Sequence, residues 1–521
     1  MTPVAIAYAS PSTLQARRGG NELTLAANLL QPVALHAEVA QHGAMLRLAL
    51  RTFGQALWDP EHRLPGAQAL NSVLDPVLTV HPDRIGLEAF TQDQGAYLSL
   101  QIEPEVFRLL GEPHYGSSHI DFSAWLWQAL GEMRTSRRTW LRVDASAGQE
   151  LGTTTPLEQR LDLPGDWVRG LLDMQRAMAQ PGTRLRLRPV DLQTALHFLA
   201  LNPARVSPPA LRYDLRPGEP ATLVIEPFEH RLVLQEAVHD AATAHSVRTW
   251  GRRKLGLLEP LLPFAWAVHV DLKSHEQPSA YTVRLPGMSV TLGLPGTGLP
   301  SPPGAAPAAP ALQLRALHTL ADAFHATTPA LANALNAGEP DTAAALAALA
   351  RAGRVMADLH AGGWRHRELF VPPLDTATLF PPEPCREAAL RLLAEPGGVQ
   401  VRQIDIDDPP RARGFRHPDS GERIERVVAY PQWRIRGASQ GFEPEIVVGD
   451  EEQLAFASCG CEFYQEHLLT QGPCPHTLAL LWQSGPQRRE LARVHAAPAV
   501  APRLPRAAPE RAATGGEGGG A

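Results

Sequence analysis

Four residues near the C-terminus have the types and spacing of metal ligands. Cys459 and Cys461 form a Cys-x-Cys pair, and after twelve intervening residues Cys474 and His476 form a Cys-x-His pair. Three thiolates and one imidazole are ligands that tetrahedral zinc prefers. Four protein ligands leave no open position for water or substrate, so the pattern predicts a structural zinc ion and not a catalytic one. His467, which lies between the two pairs, is an alternative ligand.

The residues around these ligands predict the elements that hold them. The apolar segments EIVVG and LAFAS predict two strands directly before Cys459. Residues i and i+2 of a strand point to the same face, so Cys459 and Cys461 can face one ion, and Gly460 would let the backbone bend between them. Pro475 suits the first position of a helix and places Cys474 at the N-cap, where the helix dipole favours a thiolate. The sequence therefore predicts a ββα zinc finger.

This Cys-x-Cys…Cys-x-His pattern, with the preceding segment EPEIVVGDEEQLAFASCGC, resembles the SWIM zinc finger over about residues 443–484. The resemblance assigns the ligand roles to Cys459, Cys461, Cys474 and His476. Other segments resemble stretches of bacterial SWIM zinc finger proteins: HGAMLRLALRTFGQALWDP, SSHIDFSAWLWQALGEM, VRTWGRRKLGLLEPLLP and WRHRELF. SWIM fingers are thought to bind DNA or proteins, and bacterial members often look like companions of MoxR-type AAA ATPases and von Willebrand A proteins. The resemblance thus implies an interaction protein in an ATPase-associated assembly.

Length and cysteine content restrict the class of protein. A chain of 521 residues is too long for one ordinary core, so we expect a multidomain α+β protein. Four cysteines cannot form a disulfide framework in so long a chain, and three of them fall within sixteen residues, which favours a metal. No stretch approaches the roughly 20 apolar residues of a membrane span. Arg17 and Arg18 follow the first apolar stretch instead of preceding it, unlike a secretion signal, so we expect a cytoplasmic protein without a membrane partner.

Composition and apolar periodicity predict the domain boundaries. We predict an N-terminal α+β domain (1–150), a second mixed α/β domain (151–297), a Pro/Ala linker (298–311), a helical region (312–396), a β-rich region that ends in the finger (397–495) and a disordered tail (496–521). Two local predictions matter below. The amphipathic segment from His36 to Trp58 is expected to be helical, and Asp121 is expected to cap the next helix.

The charge balance bears on the partner. The formal net charge is -6, and residues 351–500 hold 17 Arg against 20 Asp and Glu. Sequence-independent nucleic-acid binding comes mainly from Lys and Arg that neutralise phosphates, so the balance favours a protein partner. Nucleic acid remains the alternative, bound by the finger and by basic clusters. These clusters are Arg252, Arg253 and Lys254; Arg184, Arg186 and Arg188; and Trp364, Arg365, His366 and Arg367.

Each basic cluster also has a structural interpretation, which we favour. The run from Arg252 predicts a solvated helix face. The alternating arginines from Arg184 predict a charged edge strand, because charged edges block aggregation. The run from Trp364 follows two glycines, so an exposed basic tip is the functional alternative there.

Residues that could support catalysis are few. His114, His119 and Asp121 could form a second metal site or an acid/base pair, although Asp121 as a helix cap is the simpler interpretation. An enzyme within residues 1–300, with a pocket at these residues, is a third alternative. No G-x-x-x-x-G-K-[ST], no G-x-G-x-x-G after a strand and no H-E-x-x-H occur, so we expect a non-enzymatic protein.

Three further features favour structural interpretations. GASQG at 437–441 fits the hydrolase pattern G-x-S-x-G with Ser439 as nucleophile, but a strand follows it where a helix is required, so we expect a hairpin turn. Cys385 at the start of a helix is expected to be an idle thiol. Trp125 and Trp127 are expected at the core and its rim.

Overall fold

The computed structural model describes most of the chain from residue 4 to residue 495. The described ranges are 4–58, 75–91, 93, 95–134, 136–145, 161–163, 165–180, 182–203, 210–240, 244–273, 277–296, 309–371, 373, 384–407, 410–416, 420–429, 432–449, 454–470 and 472–495. The predicted linker, apart from residues 309–311, and the predicted tail lie outside these ranges. Within them, no helix combines the length and apolar character needed to cross a membrane.

The first part of the chain consists mainly of strands, with two α-helices. The strands are β1 (Val4–Ile6), β2 (Thr13–Arg17), β3 (Gly20–Ala26), β4 (Leu35–Val39), β5 (Val77–His81), β6 (Arg84–Phe90), β7 (Tyr97–Ile102), β8 (Phe107–Leu109), β9 (Gly116–His119) and β10 (Arg138–Asp144). The helices are α1 (Gly43–Trp58), α2 (Ala124–Leu130) and a 3-10 turn (Pro104–Val106). Strands β2, β3, β10, β4 and β8 form a five-stranded sheet in that order.

Two local predictions for this part were wrong. The segment from His36 begins as β4, and the helix starts only at Gly43, because His42 takes a positive φ of 55° that interrupts the helical backbone. Ser123, and not Asp121, caps α2: its side chain accepts a hydrogen bond from the Leu126 backbone N–H at 3.2 Å. The Asp121 carboxylate instead accepts from the Ser12 backbone N–H at 2.7 Å and so holds the N-terminal strands.

The middle of the chain adds nine strands and two long helices. The strands are β11 (Leu161–Leu163), β12 (Thr183–Leu187), β13 (Leu211–Leu215), β14 (Pro220–Ile225), β15 (His230–Val238), β16 (His245–Thr249), β17 (Ala267–Leu272), β18 (Ser279–Leu285) and β19 (Met288–Leu294). The helices are α3 (Gly165–Met178), α4 (Pro189–Leu201) and a 3-10 helix (Arg252–Phe264). Strand β11 pairs with β1, and β15, β14, β13 and β16 form a four-stranded sheet.

One eight-stranded sheet joins these two parts. Its order is β12-β17-β18-β19-β7-β6-β5-β9, so it takes strands from both sides of the boundary predicted at residue 150. The join is the antiparallel pair β7 and β19, which aligns Leu100 with Val290. A pairing between residues this far apart in sequence leaves no local pattern, because each strand alternates apolar and polar residues in the same way. We call residues 4–296 the body.

The two faces of the eight-stranded sheet have opposite character. One face is apolar and packs on α1, α4 and the 3-10 helix. Cross-strand pairing places small polar side chains on the other face, and all of them are buried: Thr79, Glu88, Ser99, Gln101, Thr282, Ser289 and Thr291. They bond to one another, as in Thr282 with Thr291 at 2.9 Å and Gln101 with Ser99 at 2.9 Å. This polar face needs a polar cover, because buried polar groups must be hydrogen-bonded.

Residues 309–371 supply that cover. Three helices, α5 (Pro310–Ala323), α6 (Thr328–Leu335) and α7 (Glu339–Arg351), lie largely within the region predicted to be helical. The segment also contains three short strands that its predicted helical character did not include: β20 (His325–Ala326), β21 (Val355–Ala357) and β22 (Trp364–His366). Strand β22 pairs with both others, and Arg365 in this strand and Arg367 just after it bond carboxylates of the body.

The C-terminal unit contains the predicted metal ligands. Its helices are α8 (Pro384–Ala394), α9 (Glu462–His467) and α10 (Pro475–His495). Its strands are β23 (Gln400–Asp407), β24 (Pro410–Arg416), β25 (Arg423–Ala429), β26 (Gln432–Ala438), β27 (Glu445–Val448) and β28 (Leu454–Ser458). Strands β23, β26, β27 and β28 form one sheet, whose apolar face packs on α8 and α10. This core is separate from the large core of the body.

A hairpin made of β24 and β25 ties this unit to the body. Phe415 is buried among the rings of Phe198, Phe228 and His230, at centroid distances of 5.6 to 6.2 Å. The Asn202 side chain bonds the Arg416 backbone twice: its amide donates to the carbonyl at 3.1 Å, and its oxygen accepts from the N–H at 2.7 Å. The hairpin therefore fixes the C-terminal unit through one aromatic anchor and one paired backbone contact.

Candidate metal centre

The structure brings the four predicted ligands together. Cys459 follows β28, Cys461 directly precedes α9, Cys474 directly precedes α10, and His476 is the second residue of α10. All four side chains are buried, and their ligand atoms lie within 4.8 Å of one another. The end of β28 and the start of α9 therefore present one ligand atom each to a common centre, and the start of α10 presents two.

The spacing of the ligand atoms fits tetrahedral zinc. Bonds of about 2.3 Å to sulfur and about 2.0 Å to nitrogen, at a tetrahedral angle, separate a sulfur and a nitrogen ligand by about 3.5 Å. The Cys459 Sγ and His476 Nδ1 atoms are 3.8 Å apart. Three thiolates and an imidazole are also the donor set that zinc prefers over harder cations such as magnesium. The residues present therefore fit the metal that their spacing predicts.

Helix α10 positions Cys474 as expected from Pro475. The Cys474 carbonyl accepts a hydrogen bond from the Leu478 backbone N–H at 2.9 Å, and the Thr477 hydroxyl lies 3.3 Å from the Cys474 Sγ. A hydrogen bond from Cys459, followed by contributions from His476 and Thr477, lowers the pKa of Cys474 to about 3. The same contact with Cys474 raises the pKa of Cys459. Three thiols this close cannot all ionise alone, so binding all of them as thiolates requires a cation.

Aromatic side chains enclose the centre. The ring of Phe442 lies 4.8 Å from that of His476, and Phe463 and Tyr464 pack on the cysteines. The Tyr464 hydroxyl donates to the Ala457 carbonyl at 2.7 Å, which ties α9 to β28. With four protein ligands and this apolar shell, the centre has the construction of a structural metal site, because a catalytic zinc keeps a position open to water.

Two details of the site differ from the sequence-based expectation. A short helix, α9, lies between the two ligand pairs, so the unit is more than a plain ββα finger. Gly460 lies outside the left-handed region, and an added Cβ would meet Phe442 at an ordinary 3.7 Å, so the turn between Cys459 and Cys461 does not depend on a glycine conformation. His467, the alternative ligand, ends α9 outside the cluster and contacts Phe463 and Glu466 instead.

The arginines around Trp364 are not exposed, so the hypothesis of a basic tip was wrong. Arg365 is 2% exposed and bridges Asp83 on the body and Asp358, with N–O distances of 2.7 and 2.8 Å. Although burial opposes its charge, these carboxylates raise the pKa of Arg365. Arg367 is fully buried and bonds Glu88 at 2.6 Å. Both arginines attach the cover to the polar face of the sheet, because alternate residues of an extended strand point the same way.

The other basic clusters are also occupied by internal contacts. Strand β12 is the edge strand that the alternating arginines predicted, and Arg184 pairs with Asp271 at 2.8 Å. Arg186 lies 3.8 Å from Glu236, and Arg188 pairs with Asp191 at 2.6 Å. In the cluster from Arg252 to Lys254, Arg252 is buried and donates to the Glu226 carbonyl, and Lys254 pairs with Asp93. Of these three basic residues only Arg253 is exposed, so the solvated basic helix face expected there is confirmed for that residue alone.

The possible catalytic residues take structural positions. His119 is buried between the rings of Trp167 and Phe370, and its Nδ1 lies 3.4 Å from the Asp75 carbonyl. His114 pairs by its backbone with Ala34, in an isolated bridge. A cleft of about 620 Å³ lies beside the β24–β25 hairpin, and none of His114, His119 and Asp121 lines it.

The three remaining candidates also have structural surroundings. Ser439 lies in a tight turn between β26 and β27, where Gln440 and Gly441 have positive φ, and its buried hydroxyl donates to the Gly398 carbonyl at 2.7 Å. Cys385 is half-buried at the second position of α8. The expected core position was wrong for both tryptophans, since Trp125 is 65% exposed and Trp127 lies at the rim, half-buried, with its indole N–H donating to the Arg51 carbonyl at 3.1 Å.

Together, the strand pair, the two helices and the enclosed set of three cysteines and one histidine define a zinc finger with a structural metal site. Residues 445–485 match the SWIM zinc finger family. The C-terminal unit therefore carries a SWIM zinc finger, with Cys459, Cys461, Cys474 and His476 in the ligand positions.

Two solved structures to which this chain is similar have low TM-scores. Proliferating Cellular Nuclear Antigen from Entamoeba histolytica is 12% identical, with a TM-score of 0.32, over 50% of this chain and 98% of that one. A structure of the C-terminal region of FEN-1 bound to A. fulgidus PCNA is 8% identical, with a TM-score of 0.31, over 50% of this chain and 97% of that one. Likenesses at this level carry no argument. The search of curated proteins gave no match.

Proposed function

We propose that this protein is a non-enzymatic, zinc-binding interaction protein whose SWIM finger binds another protein within an ATPase-associated assembly. One observation carries the choice of partner. From residue 437 to residue 487, a range that contains the whole finger, the chain has no Lys or Arg. The same range has seven acidic residues: Glu443, Glu445, Asp450, Glu451, Glu452, Glu462 and Glu466.

This charge distribution disfavours nucleic acid as the ligand of the finger. With histidines neutral, seven acids and no bases give the range a formal charge of -7. A zinc ion with three thiolates and a neutral imidazole adds a further negative charge, so the metal does not reverse the sign. Phosphate contacts through Lys and Arg supply most of the affinity of non-specific nucleic-acid binding. A protein partner does not need these contacts.

Most arginines of the predicted basic clusters do not supply a replacement for these contacts. Arg252, Arg365 and Arg367 are buried, and Arg184 and Arg188 form ion pairs with carboxylates of the chain itself. A guanidinium engaged in this way must first lose its partner before it can bind a phosphate. The basic clusters are therefore better explained as tertiary contacts than as a phosphate-binding surface.

The ATPase-associated assembly is the finer part of the proposal. It rests on the resemblance to bacterial SWIM proteins, which suggests a MoxR-type AAA ATPase or a von Willebrand A protein as the partner. A metal site made of reduced thiols also suits the cytoplasm, where disulfides are rare. The proposal of a non-enzymatic role is supported by the closed four-ligand site and by the structural contacts of Ser439 and His119.

The test is a comparison of three forms of the full-length chain, purified by a tag from the cells that make it, with and without nuclease. The wild type is compared with Cys461→Ser, which removes a ligand, and with the matched control Cys385→Ser, which changes a cysteine outside the site. We expect about one zinc per chain in the wild type and the control, and loss of zinc in Cys461→Ser, as measured by elemental analysis.

The co-purified molecules then distinguish the partners. We expect defined proteins that survive nuclease, require Cys461 and are retained by the Cys385 control. Recovery of nucleic acid that disappears with nuclease, and whose binding weakens steeply with salt, would favour the nucleic-acid alternative. Partners that do not depend on Cys461 would contradict the proposed function.

A further inference from the structure

The finger presents one leucine to solvent beside its metal centre. Leu468, the residue after α9, is 64% exposed, more than any other exposed leucine in the described part of the chain. Its neighbour Leu469 is half-buried against the core of the C-terminal unit. One leucine therefore anchors this turn while the next projects from it, although an apolar side chain at the surface gains nothing for the fold.

The backbone holds Leu468 in a conformation that leucine rarely adopts. Leu468 has a φ of 43° and Leu469 a φ of 70°, both in the left-handed region. Hydrogen bonds fix the turn: the Leu468 N–H donates to the Tyr464 carbonyl at 2.8 Å, and the Thr470 N–H donates to the His467 carbonyl at 2.8 Å. Strained positions occupied by residues other than glycine persist where the surrounding structure enforces them, and they cluster at binding sites.

The metal centre controls how this turn is presented. Cys461 is a metal ligand and also precedes α9, and its carbonyl accepts from the Gln465 N–H at 3.0 Å. The other end of α9 leads directly into Leu468. A six-residue helix is too short to persist alone, so its order depends on the fixed position of Cys461 and on the packing of Phe463 and Tyr464 against the cysteines. Metal binding thus positions Leu468.

Charges around the turn define the partner. Glu462 and Glu466 on α9 are exposed, and His467 lies 3.9 Å from Glu466. Residues 437–487 contain no Lys or Arg. An exposed leucine with an acidic border is complementary to a surface that pairs large apolar side chains with Lys or Arg.

We propose that Leu468, with Glu462 and Glu466, is the docking point of the finger for a partner-protein segment in which a large apolar side chain is flanked by Lys or Arg. This inference rests on the proposed function and specifies its partner chemistry. The apolar contact supplies the affinity, and the two carboxylates select basic segments over acidic ones.

The test uses the full-length zinc-bound chain and a display library of random peptides. We expect selection to enrich peptides that combine Lys or Arg with a large apolar residue. Enriched peptides are synthesised, and their Kd is measured for the wild type, for Leu468→Asp and for Leu314→Asp. Leu314, on α5, is 52% exposed and serves as the matched control. We expect Leu468→Asp to weaken binding about tenfold or more and Leu314→Asp to change it less than about twofold.

Two further variants separate this inference from the proposed function. Glu466→Lys should weaken the binding of the same peptides and reduce its salt dependence. Zinc content and the circular dichroism spectrum should stay at the wild-type level for both Leu468→Asp and Glu466→Lys. Peptides that need Cys461 but bind Leu468→Asp normally would overturn the docking point and leave the proposed function standing. Peptides that bind Cys461→Ser as well as the wild type would contradict both. Enrichment of acidic peptides, or of none, would also overturn the docking point.

Discussion

The body with its cover and the SWIM finger use charge in opposite ways. Where the cover meets the body, Arg365 and Arg367 are buried and each bonds carboxylates within the chain. In the finger the charged side chains that flank the metal, such as Glu462 and Glu466, are exposed and have no arginine or lysine nearby in sequence. Buried ion pairs specify how two surfaces fit together, whereas exposed charge of one sign acts on other molecules. The comparison separates charge that builds this protein from charge that it presents.

The two regions also differ in what holds them folded. The body has one large core, to which side chains of the cover and Phe415 of the anchoring hairpin also contribute. The C-terminal unit has a much smaller core. Around its cysteines, the hydrophobic side chains that pack on them, Phe442, Phe463 and Tyr464, are only partly buried. Small units with little apolar core commonly need a metal. We therefore expect metal loss to affect the finger far more than the body.

The largest expected effect is that of removing a metal ligand at α10. Cys474→Ser should abolish zinc binding and release residues 454–482 from protection, because structural zinc contributes about 10 kcal/mol or more in isolated fingers. Hydrogen exchange measured by mass spectrometry should show this loss in the finger, with the body peptides 77–119 unchanged. Equal loss of protection in the body would show that the two regions fold as one unit.

The second effect concerns the buried pair of Arg367 and Glu88. Arg367→Met leaves an uncompensated carboxylate at a fully buried position, which should lower the free energy of unfolding of the body by about 3–5 kcal/mol. The matched control is Arg186→Met, whose pair with Glu236 is exposed and should matter by less than about 1 kcal/mol. The free energy comes from denaturant unfolding followed by fluorescence. A double change with Glu88→Gln should recover part of the loss, and failure to do so would mean that the arginine acts mainly through packing.

The smallest expected effect is a pH dependence of the body. Burial, and then the nearby charge of Asp121, raise the pKa of Asp75 to about 7, against the opposing hydrogen bond from Tyr8. Because the pKa is higher in the folded state than the ordinary value of 3.8, the folded state binds the proton more tightly. Its contribution is therefore fully present below about pH 4 and is lost as the pH rises towards and past 7.

Asp75→Asn imitates the protonated acid and isolates this contribution. Between pH 5 and pH 8 we expect the variant to lose about 2–3 kcal/mol less stability than the wild type. Thermal unfolding across this pH range provides the measurement. Parallel curves for the two proteins would show that Asp75 does not titrate in this interval.

The finger could be predicted from sequence because its signals are local. The four ligands, the strands before Cys459 and the helix that starts at Pro475 lie within one short segment, and each follows a local rule of spacing or capping. Helix α9 escaped prediction, although Phe463 and Tyr464 gave a weak signal of a packed turn there. Its stability comes from contacts with the cysteines, which no propensity of six residues reveals.

The body shows the limits of the same reasoning. The alternating arginines of β12 correctly indicated an edge strand, but the alternation at Trp364–Arg367 gave a similar pattern for side chains that are fully buried. The boundary at residue 150 was placed by composition, whereas β7 pairs with β19 across it. Both features depend on residues far away in sequence. The arginines are buried because carboxylates on β6 and in the turn before it pair with them, and the sheet crosses residue 150 because β19 pairs with β7.

The sequence by itself therefore determined the metal centre, its ligands, most of the individual strands and helices, and the acidic character of the finger. Tertiary structure alone decided that Arg365 and Arg367 form interior ion pairs, that one eight-stranded sheet takes strands from both sides of residue 150, and that Leu468 projects beside the metal centre. The physical reason is distance along the chain. Spacing, capping and periodicity act over a few residues, whereas burial, ion pairing and strand order depend on which distant residues the fold brings into contact.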